Sequence, residues 1–382
     1  MSLFLLTFFL VYGGTHLYFY LKVNSAVSLG GLSGSCLALF LLLMIAAPAL
    51  VRVLEREGLE VCARALAYAG YLWMGFLFLF FSPSLLIDLY HLSIHAAGFV
   101  AHRDMSAFFL TRRTALIIPV AYGVATALYG YFEARDIRTE RLVITSPKIP
   151  RSCGKLTIVQ ISDVHLGLIV RRTRLARIIE KVKAAAPDMV VSTGDLVDGQ
   201  INRMTGLAEL LRDVQPRFGK FAVTGNHEAY AGLDQAGDFT ERAGFKVLRG
   251  ESVIAGGVIN VAGVDDPSVA MVTHSSPMAE HALLSQLSPE KFTLLLKHRP
   301  VIDRESLGLF DLQLSGHVHK GQLFPFNLVT YLFYPVRTGY SLFPRHSALY
   351  VNRGTGTWGP PIRFLAPPEI TVIELVPAAD SH

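Results

Sequence analysis

The chain has 382 residues, 51% of them hydrophobic and only 17% charged, with a mean hydropathy of +0.40 and a formal net charge of +5. That length leaves room for two or three domains, and so high an apolar share, concentrated before residue 133, excludes an ordinary soluble chain in favour of a membrane protein with a soluble part. The basic residues are scattered beside apolar spans rather than gathered into a stripe, which argues against nucleic acid as a partner, and three cysteines, Cys36, Cys62 and Cys153, supply neither a disulfide framework nor a paired-thiol metal site.

Four apolar runs, residues 3–21, 32–51, 65–87 and 114–132, are long enough to cross a hydrocarbon core, which takes ~20 residues. Four crossings would put both termini on one side. The first run lacks a basic leader and is followed by further spans, so it reads as a retained anchor. The third continues past Pro83 into IDLYHLSIH, where Asp88, His91 and His95 share one helical face. Inside a membrane such a group is an ion or proton site; beyond a completed span it is an interfacial extension facing headgroups, the reading favoured here. Arg52, Arg56, Arg64, Arg135, Arg138 and Arg141 fall on one side, against Lys22, Arg103, Arg112 and Arg113 on the other. The positive-inside rule then leans toward a multi-pass protein of the cell (inner) membrane with a cytoplasmic soluble domain.

After this transmembrane region, residues 1–132, the composition turns charged and proline-punctuated, marking a linker over 133–154 with an edge strand near 142–145. A folded domain is expected over 155–376, followed by a short tail, 377–382. It opens with KLTIVQIS, a buried-strand run, a helix over 173–185 with Leu175, Ile178, Ile179 and Val182 on one face, and the strand DMVVST. Further strand runs are KFAVTG, VINVAGV, FTLLLK, FDLQLSG, ALYVN and ITVIEL. Strands outnumber helices, which predicts an α/β domain of two packed mixed β-sheets flanked by helices.

Ligand-type residues follow one strand run after another. Asp163 and His165 come after LTIVQIS, Asp195 after VVSTG, Asn226 and His227 after FAVTG, His298 after TLLLK, and His317 and His319 after LQLSG. In layered α/β folds ligands bind at such strand ends. Singly each is ordinary: an Asp after a strand caps or turns, an Asn makes an Asx-turn, a His beside Arg-Pro is loop. Five strand ends of this kind are hard to obtain from turn chemistry alone. Glycine precedes Asp195, Asn226 and His317, and its tolerance of unusual φ would let the backbone turn sharply toward a shared point.

The ordered blocks DVH, GD, GNHE, H and GHVH resemble the calcineurin-like metallophosphoesterase superfamily over about residues 155–376. The surrounding text is similar to its membrane-anchored bacterial branch, which includes phosphodiesterases and UDP-2,3-diacylglucosamine pyrophosphatase-type members. The resemblance implies two divalent metal ions. Asp163, His165, Asp195 and His319 would hold the first; Asp195, Asn226, His298 and His317 would hold the second, with Asp195 bridging. His227 matches the family's catalytic histidine. Two cations can clamp a phosphoryl group from both sides and acidify a water between them, imidazoles leave the cluster its positive charge for the developing phosphorane oxygens, and a histidine titrates where a general acid must. Mixed nitrogen and oxygen donors accept manganese, iron or zinc, and the choice among them does not follow.

Two features depart from the branch. Lys320 stands where members often carry glycine, and it either reaches a substrate phosphate or points to solvent; Arg171 and Arg172 pose the same choice. Residues 323–344, LFPFNLVTYLFYPVRTGYSLFP, are rich in Phe, Tyr and Leu, and form either a buried hairpin or an apolar rim that faces the bilayer and accepts acyl chains. GTGTWG matches a dinucleotide fingerprint by letter only, because prolines follow where that fold needs a helix, and no GxSxG elbow supports a serine hydrolase. The expected function is a membrane-tethered phosphohydrolase cleaving a phosphodiester or pyrophosphate bond, with a lipid-linked substrate as one candidate. The alternatives are a nucleotide phosphodiesterase, and a membrane sensor or transporter whose phosphoesterase-like domain only binds a ligand.

Overall fold

The computed structural model of the chain describes residues 2–199, 204, 206–275 and 278–379. It divides into two compact units, Met1–Phe132 with Gly359–Phe364, and Glu133–Trp358 with Leu365–His382.

The first unit is helical, with α1 (Ser2–Val27), α2 (Gly31–Arg56), α3 (Glu60–Ala101) and α4 (Arg112–Glu133). Among the described residues three stretches, Gly31–Arg56, Glu60–Ala101 and Ser106–Glu133, are long and apolar enough to cross a membrane. The remaining expected span, 3–21, lies in α1 and begins at side chains outside the described set. Phe19, Leu41, Leu77 and Phe80 are buried together around Trp73, and the buried His16 accepts the indole N–H of Trp73 at 2.9 Å while Nδ1 meets the Tyr12 carbonyl at 2.7 Å. At 1.5 Å per residue the 42 residues of α3 run about 60 Å, twice a hydrocarbon core. The polar residues on its distal half divide between two places, with the rings of His91 and His95 both against Phe109. Asp88 pairs with Lys22 and accepts the Tyr18 hydroxyl at 2.6 Å, His91 Nε2 accepts the Leu110 N–H at 3.1 Å, and the His95 ring packs on Phe109.

The second unit runs β1 (Arg138–Ser146), β2 (Leu156–Ile161), α5 (Arg172–Ala184), β3 (Met189–Ser192), α6 (Leu207–Arg212), β4 (Lys220–Ala222), α7 (Asn226–Ala231), α8 (Leu233–Arg242) and β5 (Lys246–Val247). It continues through β6 (Glu251–Ala255), β7 (Ile259–Gly263), α9 (Pro267–Thr273), α10 (Glu280–Leu284), β8 (Phe292–Leu296), β9 (Leu312–Ser315), α11 (Phe326–Phe333), β10 (Gly339–Leu342), β11 (Ala348–Val351) and β12 (Glu369–Pro377). The strands form two mixed sheets, ordered β1-β12-β2-β3-β4-β5 and β10-β11-β9-β8-β7-β6. The period-2 alternation of a strand divides its side chains between two layers. Ile158 and Met189 of the first sheet meet Leu294 and Leu312 of the second between the sheets, whereas Val159 and Val190 face α5, α6 and α8 through Leu175, Ile178, Leu211 and Phe239. A third cluster, Ala262, Leu295, Leu283, Leu284 and Phe310, covers the outer face of the second sheet. Because both faces are covered, the central strands read as mainly apolar runs broken only by a few buried Thr, Gln and Ser, and that is what made them legible.

The expected edge strand is there, extended to nine residues and paired in parallel with β12. The strands β5, β6 and β10 have no counterpart in the sequence reading; β5 is two residues long, and β6 and β10 are edge strands with mixed burial. The tract over 323–344 is not a buried hairpin. It forms α11 and β10, and no residue of α11 is buried, because the helix carries large apolar side chains with no core against which to pack.

Candidate metal centre

The parallel strands β2, β3 and β4 of the first sheet, and β8 and β9 of the second, end at one edge of the sandwich. The loops that follow are sewn together by main-chain bonds: Asp163 N–H donates to Gly194 O at 3.0 Å, His165 N–H to Asp195 O at 3.0 Å, and Gly316 N–H to His298 O at 2.9 Å. Further bonds cross between the sheets. The His317 N–H donates to the carboxylate of Asp163, at 3.0 Å from Oδ1, and His298 Nδ1 donates to Thr193 O at 2.8 Å. The second bond fixes the ring of His298 so that Nε2 is the nitrogen left for the centre.

All seven expected ligands come together there. Nε2 of His165 and Nε2 of His319 lie 3.1 Å apart, with Asp163 Oδ1 at 3.4 Å from His319. On the other side Nε2 of His298 and Nδ1 of His317 lie 3.1 Å apart, with Asn226 Oδ1 at 3.3 Å from His298. Oδ2 of Asp195 stands between the two groups, 3.8 Å from His165 and 3.2 Å from His298. Three overlapping sets, Asp163–His165–His319, His165–Asp195–His227 and Asp195–His298–His317, have their ligand atoms within 4.8 Å of one another. Buried nitrogens turned on each other at such distances, with a carboxylate oxygen common to both groups, fit cations far better than they fit each other. Donors of this hardness, without sulfur, suit a divalent transition metal.

The backbone carries the strain. Asp163, His165, Asp195, His317 and His319 all have positive φ, between 48° and 71°, a region that non-glycine residues seldom enter and that tends to mark functional sites. This corrects the expected role of the glycines. Gly194 does turn with φ of 92°, but Gly225 is at φ −104°. Gly225 and Gly316 serve close approach instead: a Cβ on Gly225 would overlap Asp195 Oδ1, and one on Gly316 would overlap Ser162 Oγ and Asp163 Oδ2.

Electrostatics follow from the packing. Burial alone would raise the Asp195 carboxyl, yet His298 and His227 outweigh it and hold the group well below the usual carboxylate range. Burial together with His298 pushes His317 down to about 3, and burial with His227 pushes His165 down to about 4, so both are neutral donors. Burial lowers His298 and His227 as well, but Asp195 raises His298 to about 10, and Asp195 with Asp198 raises His227 to about 9. The buried carboxylates thus demand positive charge at the spot where the ligand atoms converge.

His227 sits beside both groups. Its N–H donates to Asp195 Oδ1 at 2.8 Å, its Nδ1 lies 2.8 Å from Asp198 Oδ1, and its ring meets Trp358 and Tyr230 edge-on. Asp198, Glu228 and Tyr334 escaped sequence reasoning as site residues. The Glu228 carboxylate accepts the N–H groups of Gly225, Asp195, Leu196 and Val197 at 2.7–3.2 Å, tying the β3 and β4 loops. The Tyr334 hydroxyl lies 3.0 Å from His317 Nε2 and accepts Arg299 at 3.3 Å. The acid three places after Asp195 and the Glu following GNH were signals; nothing in the sequence marks Tyr334. Of the three proposed substrate contacts, Lys320 is half-buried beside His319, Arg171 donates Nε to Gly167 O at 3.2 Å, and Arg172 is an exposed residue opening α5. None belongs to the ligand sets.

A family model described as calcineurin-like phosphoesterase matches residues 156–321. An "uncharacterized metallophosphoesterase" of Aquifex aeolicus is 37% identical over 254 residues, covering 66% of this chain and 97% of that protein. Another from Campylobacter jejuni is 27% identical over 377 residues, 96% of each. A "transmembrane protein with metallophosphoesterase domain" of Danio rerio is 34% identical over 279 residues, 69% of this chain and 63% of that one.

Proposed function

The chain belongs to the calcineurin-like phosphoesterase family and is a metal-dependent phosphoester hydrolase, and from that premise we propose that two cations act at its centre on a phosphodiester or pyrophosphate bond of a lipid-linked substrate. The observation that carries the count of two is Asp195, whose Oδ2 is shared between a His165–His319 pair and a His298–His317 pair. When bound, the cations supply Lewis acidity toward the phosphoryl oxygens and lower the pKa of water. The chain does the rest. Asp163, His165, Asp195 and His319 would hold one ion, and Asp195, Asn226, His298 and His317 the other; their neutral imidazoles would leave net positive charge at the site for a phosphoryl group.

His227 delivers the proton. With Nδ1 engaged by Asp198, Nε2 is its free nitrogen, and the pair of carboxylates keeps the ring protonated near neutral pH so that it can protonate the leaving oxygen. Trp358, half exposed at the ring of His227, offers an apolar wall to the leaving group. Lys320 directly follows His319, Arg171 and Arg172 lie past the Asp163–His165 loop, and Lys320 is the one proposed to meet substrate phosphate. The membrane-spanning stretches support the lipid-linked substrate and a membrane location, and the excess of Arg at 52, 56, 64, 135, 138 and 141 supports a cytoplasmic domain.

Detergent-purified protein with manganese should hydrolyse bis(p-nitrophenyl) phosphate, stop on chelation, and lose about 10³-fold or more in Asp195→Asn and His227→Ala while remaining folded. Retained activity in both variants would refute the assignment. The lipids that accumulate when the gene is deleted then identify the substrate class; accumulation of nucleotides alone would replace the lipid with a nucleotide phosphodiester.

A further inference from the structure

From Leu312 to Pro368 the chain has no Asp or Glu, and it has five basic residues, Lys320, Arg337, Arg345, Arg353 and Arg363. Inside this stretch lies α11, in which Leu328, Tyr331, Leu332 and Phe333 are 61%, 54%, 80% and 75% exposed. On β10 the alternating residues Tyr340 and Leu342 add to the apolar surface, with Arg337 exposed between the two elements. A soluble surface seldom leaves so many large apolar side chains together unless something covers them.

We propose that α11, with Tyr340 and Leu342, is a docking element that seats in the anionic headgroup layer of the bilayer holding this same chain. Three observations select that occupant. First, α4 ends at Glu133 and β1 begins at Arg138, so only residues 134–137 intervene, at most about 14 Å of chain. The domain therefore meets lipid at an effective concentration no soluble partner matches. Second, the charge is complementary: the apolar side chains share a stretch of chain with Lys320, Arg337 and Arg345 and with no acid, and such a stretch is attracted to anionic headgroups. Third, the residues are Phe, Leu and Tyr, the types that partition to the interface of a membrane and not only to its core.

The element has a chemical consequence. Tyr334, the residue just after α11, is hydrogen-bonded to His317, so a seated helix holds the mouth of the metal centre at headgroup level. Docking stands apart from the identity of the substrate: a seated helix is compatible with any phosphoester, and its failure would leave hydrolysis of a soluble diester untouched.

The test uses the full chain in nanodiscs of phosphatidylcholine with phosphatidylglycerol, with Cys36, Cys62 and Cys153 changed to serine and one fluorophore attached through Leu332→Cys. Leu328→Cys is the second position, should the first variant misfold. Ile254→Cys, at an apolar β6 residue 59% exposed, is the control. Lipids brominated on their acyl chains should quench the labels on α11 about threefold more than the control, and the excess should shrink in Arg337→Glu and when phosphatidylglycerol is left out. Equal quenching at all positions overturns the proposal. So does a label shielded from aqueous iodide yet insensitive to brominated lipid, which would assign the face to a second copy of the chain.

Discussion

Tyr334 Oη stands 3.0 Å from Nε2 of His317, while the opposite ring nitrogen, Nδ1, faces His298 across 3.1 Å. A cation on Nδ1 leaves Nε2 as the N–H donor, and Tyr334, itself accepting from Arg299, is the acceptor that fixes the ring's tautomer and tilt. Arg299 is in turn held by Asp266 at 2.7 Å, so the support reaches back to the start of α9.

Tyr334→Phe is expected to weaken manganese binding by about 10- to 100-fold while changing stability little, because the aromatic ring is kept and only the acceptor is lost. Metal content after dialysis against graded free manganese measures it directly. An unchanged binding curve would show that His317 needs no such partner.

Asp198→Asn should move the alkaline limb of kcat to lower pH. His227 is raised to about 9 although burial opposes it, because Asp195 and Asp198 favour the imidazolium. Removing one of those charges lowers the pKa, so the protonated acid disappears at a lower pH, by on the order of one unit. A pH–rate profile decides it; a uniform fall in rate with the limb unmoved would make Asp198 a positioning residue only.

Gly316→Ala should cost stability and metal together. A Cβ there would run into Ser162 Oγ and Asp163 Oδ2, and relief requires moving either β9 or a ligand carboxylate. We expect a loss of about 2–3 kcal/mol in denaturant unfolding and a smaller stabilisation by added manganese than in the parent chain, which should gain about 2.7 kcal/mol at a hundredfold excess over Kd. Full manganese stabilisation in the variant would show that Asp163 tolerates the displacement.

The runs of β2, β3, β8 and β9 were legible because two covered faces favour apolar residues, with only a few buried Thr, Gln and Ser among them, and the residues after them were legible by type. What could not be read was the manner of convergence. Glycine was expected to make the turns; the ligands make most of them, in left-handed conformations, and Gly225 and Gly316 serve instead to let neighbouring carboxylates approach. The shared helical face of Asp88, His91 and His95 was read correctly as a spacing, yet Asp88 turns to Lys22 and Tyr18 while His91 and His95 both pack on Phe109, since a helical wheel knows nothing of the helices and loops beside it. The tract over 323–344 was ambiguous for a related reason: burial of an apolar run depends on what packs against it.

By itself, then, the amino-acid order decided that apolar helices precede an α/β domain and that acids, amides and histidines follow its strands, because local periodicity and strand-end chemistry are written over a few neighbouring residues. Only the tertiary structure decided that Asp195 is common to two imidazole pairs, that Glu228 clasps four N–H groups of two loops, and that Tyr334 supports His317 from just past the end of an unburied helix. Those relations join groups that lie far apart along the chain or bend back on themselves, and they exist only once two sheets have packed and brought their ends to one edge.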